Sequence, residues 1–131
     1  MVGAVHATGV VDEIRVARAA VEAETEFLQK AFDLKAIDGF VLKPNQVGTI
    51  TESLDAYRFA ADRGMIAVPS GRSGGVVDDV VMDLSVGLQV PFQKNGAPRS
   101  GERIEKLNFL MRANARNKGC RLFDIKPLLR F

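Results

Sequence analysis

Three cations stand where an apolar run gives way to a loop. Lys43 follows Phe40-Val41-Leu42 and precedes Pro44-Asn45-Gln46, and Lys94 follows Val90-Pro91-Phe92-Gln93. Between them, Arg72 and Ser73 lie in Ser70-Gly71-Arg72-Ser73-Gly74, directly after Ile66-Ala67-Val68-Pro69. Burying an unpaired ammonium is very costly, so a cation that ends a β-prone run reads as a rim residue. Ligands of α/β folds gather at the carboxyl ends of parallel strands. Set along one such rim, Lys43, Arg72, Ser73 and Lys94 would receive an anion. Taken singly, each also reads as a solvated strand end or an exposed turn residue.

The elements that must position these groups alternate. Residues 4–11 are β-prone, and residues 12–34 carry apolar side chains mostly at helical spacing. Residues 37–42 form a second, continuously apolar run, as expected of a strand covered on both faces. Thr49 and Glu52 make a Thr-x-x-Glu capping box that opens a helix striped by Ile50, Leu54, Tyr57 and Ala61. Gly64 is its expected stop. Residues 65–68 predict a third strand and residues 76–88 a helix, with Asp78 and Asp79 in its first turn, where the dipole favours carboxylates. Residues 90–93 predict a fourth strand. The final helix spans residues 102–117 and presents Ile104, Leu107, Met111 and Ala115 on one face. Phe27, Phe32, Phe59 and Phe109 are core or interface candidates, and residues 121–131 have no clear period.

Alternation of this kind implies a parallel sheet with helical crossovers. About four βα units amount to a partial, half TIM-type (β/α) barrel, since the full barrel takes about 250 residues. The open strand edges of such an arc invite pairing, so a second copy or a complementing partner chain is expected to cover them.

Composition narrows the function. With 131 residues, 47% apolar and 26% charged, the chain reads as a single domain over residues 1–131. A net charge of +2 gives no reason to expect a nucleic acid or an anionic membrane as partner. The lone Cys120 fits a reducing compartment and reads as a small packing residue. His6, the only histidine, reads as a strand or terminal residue. Residues 1–11 lack the charged and apolar regions of a signal peptide, and no apolar run has the length of a membrane span. The expected location is cytoplasmic.

Three stretches carry a family resemblance. Residues 42–53, Leu-Lys-Pro-Asn-Gln-Val-Gly-Thr-Ile-Thr-Glu-Ser, resemble the segment of enolases that bears the catalytic lysine. Ser70-Gly71-Arg72-Ser73-Gly74 resembles the enolase loop Ser-His-Arg-Ser-Gly. Residues 94–103, Lys-Asn-Gly-Ala-Pro-Arg-Ser-Gly-Glu-Arg, resemble Lys-Thr-Gly-Ala-Pro-Ser-Arg-Ser-Glu-Arg. All three occur in the family's order at similar separations, and the likeness covers residues 37–112.

The resemblance implies an Mg²⁺-dependent dehydration of 2-phosphoglycerate, a phosphorylated carboxylate, to phosphoenolpyruvate, a step of glycolysis. Lys43 would be the base that takes the proton alpha to the carboxylate. Lys94 would hold that carboxylate, and Arg72, Ser73 and Gln46 would bind substrate. Clustered cations favour a neutral amine, as a lysine base near pH 7 requires. Mg²⁺ would absorb the charge of the enolate, and Asp12 would stand for the last of the family's three acidic metal ligands, at a longer spacing from Lys43 than the family's.

The sequence departs from the family in two places. The earlier acid-bearing strands and the small N-terminal domain have no room here, and Gly71 stands where the family loop has histidine. One carboxylate is a poor Mg²⁺ site, so the metal ligands are expected from a partner chain or second subunit. A non-catalytic binding or assembly module derived from an enolase is the alternative. A third reading, a piece of a longer homologue, has only Met1 against it.

Overall fold

A computed structural model describes residues 16–17, 25–72 and 74–128. The expected strand at residues 4–11, with His6 and Asp12, lies outside the described residues, as does Ser73. The order is β1 (Val16–Ala17), α1 (Thr25–Asp33), β2 (Gly39–Leu42), α2 (Pro44–Val47), α3 (Ile50–Ala61), β3 (Ile66–Pro69), α4 (Val81–Gly87), α5 (Gly101–Arg116) and a 3₁₀ turn (Lys126–Leu128).

The strands form one parallel sheet in the order β1-β2-β3. Gly39 begins β2 because a β-carbon there would overlap the carbonyl oxygen of Ile66 across the sheet. Register then runs Gly39 with Ile66, Phe40 with Ala67, Val41 with Val68 and Leu42 with Pro69. A fourth regular strand at residues 90–93 is not what forms. Beyond β3 the sheet continues only as a single parallel bridge between Ser70 and Lys94, in which the Lys94 N–H donates to the Pro69 carbonyl at 3.0 Å. Pro91 cannot donate to a ladder, which leaves that run without a regular strand. Among the described residues the fold is therefore α/β with a parallel sheet of three strands, and the bridge stands where a fourth regular strand was expected.

Side chains alternate across a strand, and the two faces of this sheet differ. Phe40, Leu42 and Ala67 point to the helices and build the core with Leu28 of α1, Ala56 and Ala60 of α3, and Met65. The buried face of α3 is Ser53, Ala56 and Ala60, one position round from the expected stripe, and Ile50 is 40% exposed. Small side chains let this helix lie close to the sheet, and close approach outweighs the pull of the larger residues. The Tyr57 hydroxyl donates to the Leu88 carbonyl at 3.0 Å, tying α3 to the end of α4.

The capping box forms as expected. Thr49 Oγ1 accepts from the Glu52 N–H at 3.1 Å, and Glu52 Oε2 accepts from the Thr49 N–H at 3.0 Å. Thr49→Ala is expected to lower the unfolding free energy by about 1 kcal/mol, read from the urea midpoint at unchanged slope.

Three other expectations change. The helical reading of residues 12–34 contains a two-residue strand, Val16–Ala17, paired with β2, and the helix described within it is Thr25–Asp33. The helix expected from residue 76 starts at Val81, because Asp78 takes a left-handed φ of 63° and breaks the first turn. In α5, Ile104 and Met111 are 45% and 71% exposed while Lys106 is buried, so the expected apolar face points outward. Cys120 is exposed rather than packed. No helix among the described residues is long and apolar enough to cross a membrane.

Candidate functional site

The site is built at the carboxyl ends of β2 and β3 and at the Ser70–Lys94 bridge. Lys43 keeps an extended backbone, φ −126° and ψ 96°, as it leaves β2. Alternation therefore turns it away from Leu42 and the helices, onto the opposite face of the sheet. Pro44 then opens α2, pre-set by its ring for a first helical turn. The Ser70 N–H donates to the Leu42 carbonyl at 2.9 Å, which carries the register one step past β3 and sets Lys43 opposite Ser70. Ser70 is bridged in turn to Lys94.

Lys43, Ser70 and Lys94 thus form a row across three neighbouring chain segments. Partners in parallel register share a face, and two strand spacings separate the outer members by about 10 Å. Arg72 lies two residues past Ser70 on the same loop and is exposed. The β2–β3 register and this bridge bring Lys43, Arg72 and Lys94 to one end of the sheet. Gln46 sits in α2, one turn beyond Lys43, and is exposed. Among the described residues, none of the three cations is ion-paired to a carboxylate. Uncompensated positive charge at one sheet end attracts anions.

Acidic groups lie to one side of this row. The Ser100 hydroxyl donates to Glu102 Oε1 at 2.6 Å. This bond and the backbone N–H of Glu102 hold its carboxyl below the usual range, with Arg103 and Lys106 adding smaller pulls against desolvation. Arg112, donating to Glu105, lowers that carboxyl in the same way. Both acids are engaged within their own helix. Among the described residues, no group of three or more His, Cys, Asp or Glu side chains could hold a metal ion. Since Mg²⁺ takes an octahedron of oxygens, the donors described here do not fit it.

Sequence reasoning missed Lys106. Its side chain is 4% exposed, and its ammonium lies 3.5 Å from Asp79 Oδ2. It fills the space that a β-carbon on Gly71 would occupy. The signal available was the pair of glycines, Gly71 and Gly75, that brackets Arg72 and leaves a hollow beneath the loop.

Comparison with known proteins gives a consistent result. The family model described as "Enolase, C-terminal TIM barrel domain" matches residues 7–119. The chain is 44% identical over 86 residues to the enolase of Sulfolobus acidocaldarius, covering 66% of this chain and 21% of that protein. It is 46% identical over 87 residues to the enolase of Beutenbergia cavernae, covering 66% and 20%. Against the enolase of Ureaplasma parvum it is 33% identical over 106 residues, covering 81% and 24%. The chain spans about a fifth of the length of these relatives.

Proposed function

Because the chain belongs to the enolase family, through its C-terminal TIM barrel domain, we propose that it is the substrate-anion half of an enolase-type lyase. It forms an arc of the barrel and is completed by a partner chain or second subunit. The observation that carries this reading is the row of uncompensated cations, Lys43, Arg72 and Lys94, at one end of the parallel sheet.

In this reading the ligand is a small phosphorylated carboxylate, 2-phosphoglycerate. Arg72 offers a planar fork of donors that matches a phosphate, and Ser73 and Gln46 are the further substrate ligands of this reading. Lys94 holds the carboxylate. Lys43 is the base for the proton alpha to that carboxylate, and the hydroxyl departs from the adjacent carbon with a proton delivered from outside this chain. Asp12 stays the one candidate metal ligand in the chain. The remaining acids for Mg²⁺ come from the completing polypeptide.

The proposal is tested by mixing this chain with a polypeptide carrying the preceding strands of an enolase barrel, in Mg²⁺, and following phosphoenolpyruvate. Turnover is expected from the mixture and from neither component alone. Stable association without turnover contradicts it. A second reading, a non-catalytic binding or assembly module, is favoured by the lack of a metal-holding group among the described residues. It predicts binding of 2-phosphoglycerate with no turnover in any mixture.

A further inference from the structure

We propose that Lys106 is a positioning residue for the anion rim, acting through Arg72. The inference rests on the reading of Arg72 as an anion ligand. Lys106 projects from the second turn of α5, and its ammonium sits under the loop that carries Arg72. A β-carbon on Gly71 would overlap that ammonium. One on Gly75 would lie 4.0 Å from it and 3.3 Å from the Arg72 carbonyl oxygen. Gly71 therefore lets the loop fold down onto the lysine tip, while at Gly75 the tight neighbour of a β-carbon would be the Arg72 carbonyl.

The partner of this ammonium is held in place by the backbone. Asp78 adopts φ 63°, a conformation that non-glycine residues rarely take and that asparagine and aspartate tolerate best. That turn delivers Asp79, whose two oxygens do separate things. Oδ1 accepts from the Val81 N–H at 3.1 Å and starts α4. Oδ2 pairs with Lys106 at 3.5 Å. One carboxylate and one ammonium thus join the Arg72 loop, the start of α4 and the second turn of α5. A buried charge stripped of its partner is strongly unfavourable, so the pair resists separation and the loop above it stays in one arrangement. The ammonium has three donors, and among the described residues Asp79 is its one ion-pair partner.

Gly71, Asp79 and Lys106 form one unit, so substitution at any of them frees the same segment. The test uses the full chain and two readouts. In Lys106→Met and in Gly71→Ala, amide hydrogen exchange at Gly71, Arg72 and Gly75 is expected to speed up by about tenfold or more, while α3 keeps its protection. Affinity for 2-phosphoglycerate, read by calorimetry, is expected to fall about fivefold for Lys106→Met, and to fall no further when Lys106→Met is added to Arg72→Met. Should Lys106→Met fail to fold, Asp79→Asn removes the same partner charge from a half-buried position and gives the same two readings.

Unchanged exchange in these variants overturns the inference. An equal loss of affinity with and without Arg72 also overturns it, since Lys106 would then touch the ligand itself. Failure of the parent reading is distinct: the unaltered chain would not bind 2-phosphoglycerate, or Arg72→Met would leave its affinity unmoved, while loop exchange would still report on Lys106.

Discussion

Lys43→Met, tested in the complemented complex, lowers turnover of 2-phosphoglycerate by about 10²- to 10⁴-fold, the range that a positioned general base contributes. Lys43→Arg is the sharper variant. Arginine keeps the positive charge at the end of β2 but cannot be deprotonated in a protein. Affinity for 2-phosphoglycerate should therefore stay within a few-fold of the unaltered chain, while turnover falls as far as in Lys43→Met. Substrate titrations of initial rate and calorimetry on the same preparations separate the two effects. Loss of binding in Lys43→Arg with retained turnover would reassign Lys43 from base to ligand. Retained turnover in both variants would remove it from the chemistry altogether.

Phe40→Ala is expected to cost about 3–5 kcal/mol of unfolding free energy, the usual result of truncating a buried aromatic. Phe40 is 1% exposed and sits at the centre of the helix-facing side of the sheet, against Leu28, Ala56, Ala60 and Ala67. The neighbours include three alanines, which have no side chain to move into the vacated space, so the cavity stays open. A domain of this size holds only about 5–15 kcal/mol in total, so the loss takes a large share of it. Phe27, 52% exposed on α1, is the control: its alanine variant should stay within about 0.5 kcal/mol of the unaltered chain. Urea unfolding followed by circular dichroism measures both. Similar losses for the two would mean that the core does not lie between β2 and α3.

Much of the site could be read from the chain because its signals are local. A cation directly after an apolar run marks the end of a strand, and this placed Lys43 at the end of β2, whereas Lys94 joins the sheet through its bridge to Ser70 with no regular strand before it. Thr49 and Glu52, three residues apart, specify their own reciprocal bonds without help from the rest of the fold. The parts that escaped depend on distant partners. Val16–Ala17 is a strand only because Gly39 and Phe40 stand beside it, and its own neighbours read as helical. The buried face of α3 consists of Ser53, Ala56 and Ala60, residues too small to dominate a hydrophobic pattern and chosen for how closely they let the helix approach. In α5 the apolar periodicity of Ile104 and Met111 pointed the wrong way. A lysine is seldom buried unless paired, and nothing in the surrounding residues announces that Asp79, far back in the sequence, would meet Lys106.

Family membership and chemistry also separate cleanly. The match over residues 7–119 establishes the family. The proposed catalysis calls in addition for metal-holding acids, and the described residues include no group of three or more that could hold a metal ion. In the proposed reading, this chain brings the cationic side of the pocket to an assembled enzyme.

Calorimetric titration of the 131-residue chain with 2-phosphoglycerate, at low and raised salt, tests that contribution most directly. Saturable binding that weakens with salt is predicted, and Lys43→Met, Arg72→Met and Lys94→Met should each lower the affinity by about tenfold or more, as loss of a charge-assisted hydrogen bond does. A chain that takes up no 2-phosphoglycerate, or one whose affinity is indifferent to all three substitutions, would contradict the account.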